Sequence, residues 1–118
     1  MDTVVILVSK YLVPDGYIGL TLFPFVILKD KSLKTNEVLI NHEKIHLRQQ
    51  LELLVLPFFV IYFIEFFIQL IRYKNWNLAY RNISFELEAY TNESDFSYLK
   101  RKSFFSFTRY YKNLNVRN

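Results

Sequence analysis

The sequence predicts a mainly α (α+β) protein that folds as one compact helical domain over residues 1–118. A chain of 118 residues gives room for a single hydrophobic core. Apolar residues make up 52% and aromatic residues 19%, which excludes a disordered or low-complexity chain. Two Gly and three Pro are too few turn-forming residues for a many-stranded sandwich or barrel, so helices joined by few loops are expected.

Strands are expected only in the apolar N-terminal region, residues 1–34. Val4–Val13 is apolar, but it is too short to span a bilayer and lacks the basic flank and cleavage site of a signal peptide. Tyr17–Leu28 is rich in β-branched and aromatic residues and is interrupted by Pro24. Because Pro cannot donate a ladder hydrogen bond, we expect one or two strands here, a short strand or hairpin, with Pro24 at an edge or bulge. The charged stretch Asp30–Lys34 is expected to be a loop.

Residues 35–95 are expected to hold the helices that build a metal site. Thr35 and Asn36 offer an N-cap for the first of them. From Val38 the apolar residues follow a helical spacing, and few helix-breaking residues occur until Pro57.

This first helix carries the motif H-E-x-x-H, formed by His42, Glu43 and His46. Residues i and i+4 lie one above the other on a helix, so both imidazoles can reach one metal ion. Zinc bound there would lower the pKa of a water molecule towards neutrality, and Glu43 could accept the proton as general base. A chance match on a polar helix face is the alternative, but both histidines of the chain fall in the motif, on a predicted helix.

A third zinc ligand has to be a carboxylate, because a catalytic zinc takes three protein ligands and the chain has no third His. The absence of Cys also excludes a disulfide scaffold, an iron–sulfur cluster and a thiol nucleophile. The candidates are Glu86 and Glu88, on a helix predicted over Leu78–Glu93. Periodicity favours Glu86, whose helix face is mostly inward-looking, over Glu88, whose face is more solvent-facing; an exposed acidic pair remains the alternative.

The combination of H-E-x-x-H with a later S-x-E-x-E-A resembles the gluzincin metallopeptidases, in particular the membrane-bound heat-shock and CAAX prenyl protease type. The second motif of that type reads roughly S-R-x-x-E-x-E-A-D, and Ser84, Glu86, Glu88 and Ala89 follow it loosely. The resemblance implies that Glu86, the first Glu of E-x-E-A, is the zinc ligand. Tyr90 stands where the family has Asp, and the spacing from Ser84 to Glu86 is shorter than the family's.

About half of the chain takes part in this resemblance. The stretch from Asn41 to Glu93 is also similar to small uncharacterised bacterial proteins that carry N-H-E-x-I-H-x-R-Q-Q-x-E, and these imply no function. The candidates for a group that stabilises the oxyanion, or that supports the ligands from behind, are Tyr80, Arg81 and Tyr90.

The C-terminal segment, residues 96–118, is basic and aromatic. From Arg72 onward nine Lys or Arg face four Asp or Glu, and past Phe96 every charge is positive. Such a segment suits an anionic membrane surface or a nucleic-acid backbone, or simply keeps an apolar body soluble. A nucleic-acid partner ranks last, because no helix-turn-helix or aromatic RNP motif is present.

The leading functional hypothesis is a zinc-dependent metallopeptidase acting on a peptide or protein substrate. The alternative is a non-catalytic, membrane-associated binding or structural protein that retains the metal-site helix. The sequence leaves the oligomeric state open.

A very apolar stretch, Leu53–Ile71, bears on the location of the protein. Its 19 residues form a helix of about 28 Å, long enough to cross a membrane. A straight span would place His46 and Glu86 on opposite sides, roughly 30 Å apart, whereas zinc bonds are about 2 Å long. We therefore expect Pro57 to end the first helix and Phe58–Ile71 to form a separate one, partly core and partly an apolar surface. The expected location is the cytoplasmic side of a membrane, peripheral rather than spanning, with the basic tail against anionic headgroups.

Overall fold

A computed structural model describes residues 5–110 of the chain and confirms the mainly α (α+β) class. Residues 1–4 and 111–118, the end of the basic tail among them, lie outside the described residues. Two short 3-10 helices, Lys31–Thr35 and Ser106–Tyr110, accompany the regular elements. The strands and α-helices are, in chain order, β1 (Val5–Val8), β2 (Gly19–Leu22), β3 (Phe25–Leu28), α1 (Glu37–Leu53), α2 (Val55–Tyr73), α3 (Trp76–Arg81), α4 (Ser84–Asn92) and α5 (Tyr98–Arg101).

The three strands form one small sheet with the order β1-β3-β2. β1 runs parallel to β3, while β2 and β3 form an antiparallel hairpin. Pro24 lies in the turn of this hairpin, so its expected place at an edge or bulge was wrong; the turn needs no ladder N–H from it. On α1, Gln50 accepts a hydrogen bond from Phe23 N–H (2.7 Å) and donates to the carbonyl of Thr21 (2.9 Å), which holds the hairpin on the helix.

α1 begins and ends close to the predicted positions. The side chain of Asn36 accepts a hydrogen bond from Leu39 N–H at 3.0 Å, which confirms it as N-cap. The segment before it, expected to be a loop, contains a 3-10 turn. The helix ends at Leu53 and the next begins at Val55, so Pro57 does not make the break. Pro57 lies instead in the first turn of α2, where no intrahelical bond needs its missing N–H.

Among the described residues, α2 is the one helix long and apolar enough to cross a membrane. It packs against α1 and α3. The predicted separate apolar helix therefore exists, although it begins at Val55 and extends to Tyr73.

The single helix expected over Leu78–Glu93 was wrong, because the chain forms α3 and α4 with a break at Asn82 and Ile83. The cause lies on α2. The carboxylate of Glu65 accepts a hydrogen bond from the N–H of Ser84 at 2.7 Å and another from its hydroxyl at 2.8 Å. This N–H would be bonded within the helix if α3 continued into α4.

Part of the basic segment packs into the protein. Phe107 joins Phe58, Ile83 and Phe85 in a buried cluster. The side chain of Lys102 is buried and donates to Glu52 of α1 at 2.7 and 2.8 Å. The expectation that the whole tail lies on headgroups is therefore wrong for these residues, because their side chains are already used inside the molecule.

Candidate metal centre

Three buried side chains converge where α4 crosses α1: His42, His46 and Glu86. Oε1 of Glu86 lies 3.3 Å from Nε2 of His42 and 3.0 Å from Nε2 of His46. Each residue offers a ligand atom, and these atoms all lie within 4.8 Å of one another. The two imidazoles reach one point because they are one helical turn apart. The group could hold a metal ion, and it consists of the residues that the sequence selected.

The three side chains are strongly coupled electrostatically. Burial lowers the pKa of His46, but the charge and hydrogen bond of Glu86 outweigh it and raise that pKa to about 9. Burial raises the pKa of Glu86, and the imidazoles of His46 and His42 outweigh it and hold that pKa well below its usual range. The carboxylate is therefore ionised, and it draws a cation, either a proton or a metal ion, to the Nε2 atoms.

Each ligand side chain is oriented by a further hydrogen bond. Nδ1 of His42 lies 2.7 Å from Oε1 of Glu93, and Nδ1 of His46 lies 2.8 Å from Oε1 of Gln49. Because a carboxylate or amide oxygen only accepts, both Nδ1 atoms donate, and both Nε2 atoms are turned towards the common point. The hydroxyl of Tyr62, on α2, donates to Oε2 of Glu86 at 2.7 Å.

The other candidate ligand, Glu88, was expected to face solvent, and this was wrong. Glu88 is buried and points away from the histidines. It accepts hydrogen bonds from Gln49 at 2.8 Å, from Tyr98 at 2.6 Å and from Ser106, and Lys102 lies 3.9 Å away. The C-terminal segment covers this side of α4, which the periodicity of one helix could not reveal. Glu88 therefore supports Gln49, the partner of His46.

The predicted general base, Glu43, is buried beside the metal group and faces β2. Its Oε1 accepts a hydrogen bond from the hydroxyl of Thr21 at 2.5 Å. The backbone of Gly19 runs close by, so that a Cβ on this residue would lie 3.1 Å from Oε2 of Glu43. A glycine at this position leaves the second carboxylate oxygen room to contact a small molecule such as water.

Two cavities meet at this carboxylate. The larger, of about 540 Å³, is lined by His46, Glu43 and Glu86 and by aromatic side chains of α2. The smaller, of about 470 Å³, is lined by His42 and Glu43. Gly19 and Tyr80 also line both cavities. The site is therefore reached from two sides, one of them strongly apolar.

Of the three candidates for oxyanion stabilisation, two tyrosines lie at the site. Burial and the charge of Glu86 raise the pKa of Tyr80 and that of Tyr90, so both remain protonated hydrogen-bond donors at neutral pH. The ring of Tyr90 contacts that of His42 edge to face at 4.5 Å. Arg81 is exposed, and its guanidinium lies 4.1 Å from the ring centroid of Tyr90, so it stacks behind the site.

Sequence reasoning missed several residues that hold the site together. Helical periodicity could have identified two of them. Gln49 follows His46 by one turn, and Glu93 follows Glu86 by seven residues, so each shares a helix face with a predicted ligand. The others approach from elements whose packing the sequence does not display; they are Thr21, Tyr62 and Glu65.

No protein-family model, curated protein or solved structure matched this chain in the three comparisons made. The candidate metal centre is therefore defined by its geometry alone. That geometry joins two imidazole nitrogens and one carboxylate oxygen, from two helices, at the junction of two cavities.

Proposed function

We propose that this protein is a zinc-dependent metallopeptidase in which His42, His46 and Glu86 hold the metal. The observation that carries the proposal is the convergence of the three buried ligand atoms within 4.8 Å. Two nitrogens and one oxygen are a ligand set of catalytic zinc, whereas structural zinc is normally enclosed by four protein ligands. The loose agreement with the second gluzincin motif supports the same assignment.

Glu43 is the general base of the proposed reaction. Zinc at this site would polarise the scissile carbonyl and acidify a water molecule. Glu43, which lines both cavities, accepts the proton of the attacking water and passes it to the leaving amine. Thr21 holds its other oxygen in place. Tyr80 and Tyr90 supply the neutral donors for the developing oxyanion.

The substrate we propose is an extended peptide segment. β2 pairs on one side with β3, and its other side is an edge within the described sheet. Gly19, Leu20 and Thr21 of this strand line the larger cavity next to Glu43. An extended chain that added to this edge would place its carbonyl groups beside the base, with the apolar cavity left for a side chain.

The location we propose is the cytoplasmic side of a membrane, with peripheral attachment. The apolar composition of α2 supports membrane attachment. The contacts of Tyr62 with Glu86 and of Glu65 with Ser84 argue against a span. Because Tyr62 and Glu65 lie in the middle of α2, a spanning α2 would draw α4 into the hydrocarbon. The basic C-terminal segment favours the cytoplasmic face, whose lipids are anionic.

The test combines metal analysis with hydrolysis of a mixture of fluorogenic peptides. The purified protein should contain about one zinc per chain, and His42→Ala or His46→Ala should remove it. Glu43→Gln should retain zinc and lower kcat/KM by about 100- to 10,000-fold, because an amide cannot take the proton. Metal-free protein from a zinc-replete preparation would refute the metal site. Zinc-loaded protein that hydrolyses equally well with Gln at position 43 would refute the base.

A further inference from the structure

The polarity of α2 is inverted relative to a helix at the surface of a water-soluble protein. Two of its three buried positions are polar, Glu65 (7% exposed) and Gln69 (0%). All eight of its exposed positions are apolar, and we call them the outer face of α2: Leu56, Pro57, Val60, Phe63, Ile64, Phe67, Ile68 and Ile71. A surface helix in water turns its polar side outwards, so this face is built for an apolar environment.

The polar side of α2 faces inwards because the metal site needs it there. Tyr62 bonds the ligand Glu86, and Glu65 bonds the first residue of α4. With these contacts inside, the apolar residues between them have to point outwards. The inversion is therefore tied to the fold, and the apolar outer face runs from Leu56 to Ile71.

The composition of the outer face favours lipid over a protein partner. Protein interfaces carry a polar rim and about one hydrogen bond per 100–200 Å². The outer face offers no hydrogen-bonding side chain, which suits hydrocarbon, where an unpaired polar group is costly. Where α2 ends, Arg72 and Lys74 supply positive charge and Trp76 is exposed, a combination typical of the headgroup region.

We propose that the outer face of α2 mediates the peripheral attachment proposed above, on which this inference rests: it is embedded in one leaflet of an anionic bilayer, with the helix axis parallel to the membrane plane. The parallel orientation follows from α1, which packs against α2 and carries Glu37, Lys44 and Arg48. A transverse α2 would carry these charged residues into the hydrocarbon. Two residues of the outer face, Phe63 and Phe67, also line the larger cavity, so this cavity lies at the lipid surface.

Vesicle flotation with the full-length protein tests this proposal. The protein should float with phosphatidylcholine vesicles that contain phosphatidylglycerol, and less with phosphatidylcholine alone. Ile64 and Ile68 lie on the outer face but not on the cavity. The double variant Ile64→Glu, Ile68→Glu should lower the bound fraction about tenfold or more, because two charges enter the buried face.

The matched control is the double variant Leu7→Glu, Val8→Glu. Leu7 (40%) and Val8 (41%) are exposed and lie on β1, which β3 separates from the cavity-lining β2. This variant should bind vesicles within about twofold of wild type, since it alters no residue of the outer face. Circular dichroism checks that each variant is folded. Glu43→Gln should float like wild type, because docking does not depend on zinc or hydrolysis, so the two proposals fail separately.

Four results would overturn the proposal. The first is wild-type protein that does not bind vesicles, and the second is an outer-face double variant that floats as well as wild type. Retention in the membrane pellet after alkaline carbonate would show a spanning helix, whereas in-plane docking predicts release. An unbound wild-type dimer that the outer-face double variant dissociates, measured by light scattering, would assign the outer face to a second copy of the chain.

Discussion

Replacing Glu65 with Gln should destabilise the fold and the metal site together. The Glu65 carboxylate is buried and accepts hydrogen bonds from the N–H and the hydroxyl of Ser84, at 2.7 and 2.8 Å. Ile83, the N-cap of α4, provides no side-chain cap of its own. The carboxylate on α2 therefore serves as the cap of α4, two residues before Glu86.

The magnitude follows from these two bonds. A buried hydrogen bond contributes about 0.5–1.5 kcal/mol, and a buried donor left without its acceptor costs about 1–3 kcal/mol. The amide of Gln keeps one acceptor oxygen but turns an NH₂ group towards the second donor. Glu65→Gln should therefore lower the free energy of unfolding by about 2–4 kcal/mol. Since Glu86 is the third residue of α4, zinc affinity should fall about 10- to 100-fold as well.

Urea unfolding followed by circular dichroism measures the first effect, and competition with a chelator measures the second. Ser84→Ala removes only the hydroxyl bond and should cost about 1 kcal/mol, and the double variant should show a non-additive coupling. Gln69→Leu, one turn along α2, is the contrasting control. The side-chain amide of Gln69 is buried with no hydrogen-bond partner among the described residues, so an apolar replacement should not destabilise the protein. Stability of Glu65→Gln within about 0.5 kcal/mol of wild type would refute the capping role.

Two further predictions concern the two glutamates of α4 and the buried ion pair of Lys102 and Glu52. Glu86→Gln should lower zinc affinity about 100-fold or more. Glu88→Gln should change zinc affinity by about tenfold at most, because Glu88 bonds Gln49 rather than the metal. It should instead lower the free energy of unfolding by about 1–3 kcal/mol. A chelator titration with the reverse order would make Glu88 the ligand. Lys102→Met should cost about 3–5 kcal/mol, because it leaves the buried carboxylate of Glu52 without its cation. Adding Glu52→Leu should recover most of that loss in urea unfolding, and no recovery would contradict a buried ion pair.

Much of the fold and the centre of the site could be predicted, because both depend on regular local patterns. Asn36 caps α1 as its residue type suggests, and His42 and His46 share a face because a helix fixes the i, i+4 relation. The preference for Glu86 over Glu88 followed from the same periodicity, and the structure turns Glu86 towards both histidines.

The remaining features depend on contacts between elements. α3 and α4 are separate because a carboxylate on α2 captures the N–H of Ser84, and nothing in the sequence near Ser84 announces this. Glu88 is buried because Tyr98 and Ser106 cover it, although the pattern of α4 alone places it at the surface. Sequence periodicity describes one face of one helix, whereas burial depends on what packs on that face.

The stretch from Asn41 to Glu52 contains both the local H-E-x-x-H pattern and the polar side chains that contact other elements. Asn41 donates to the carbonyls of Asn92, Glu93 and Asp95, which fixes the end of α4 that bears the partner of His42. On the same helix Gln49 orients His46, Gln50 holds the β2–β3 hairpin and Glu52 binds the C-terminal segment. The polar residues around H-E-x-x-H therefore have structural partners in α4 and the residues after it, in the β2–β3 hairpin and in the C-terminal segment.

The hydropathy of α2 has its explanation in the same arrangement. A sequence window averages polarity around the helix and therefore predicts a membrane span. In the structure two of its polar side chains, Tyr62 and Glu65, bond Glu86 and the start of α4, while its exposed residues are all apolar. Because Tyr62 and Glu65 bond to α4 from the middle of α2, the candidate metal centre lies beside the middle of this helix and not beyond either end. One helix can thus position Glu86 and present a continuous apolar surface, without placing the two histidines and Glu86 on opposite sides of a membrane.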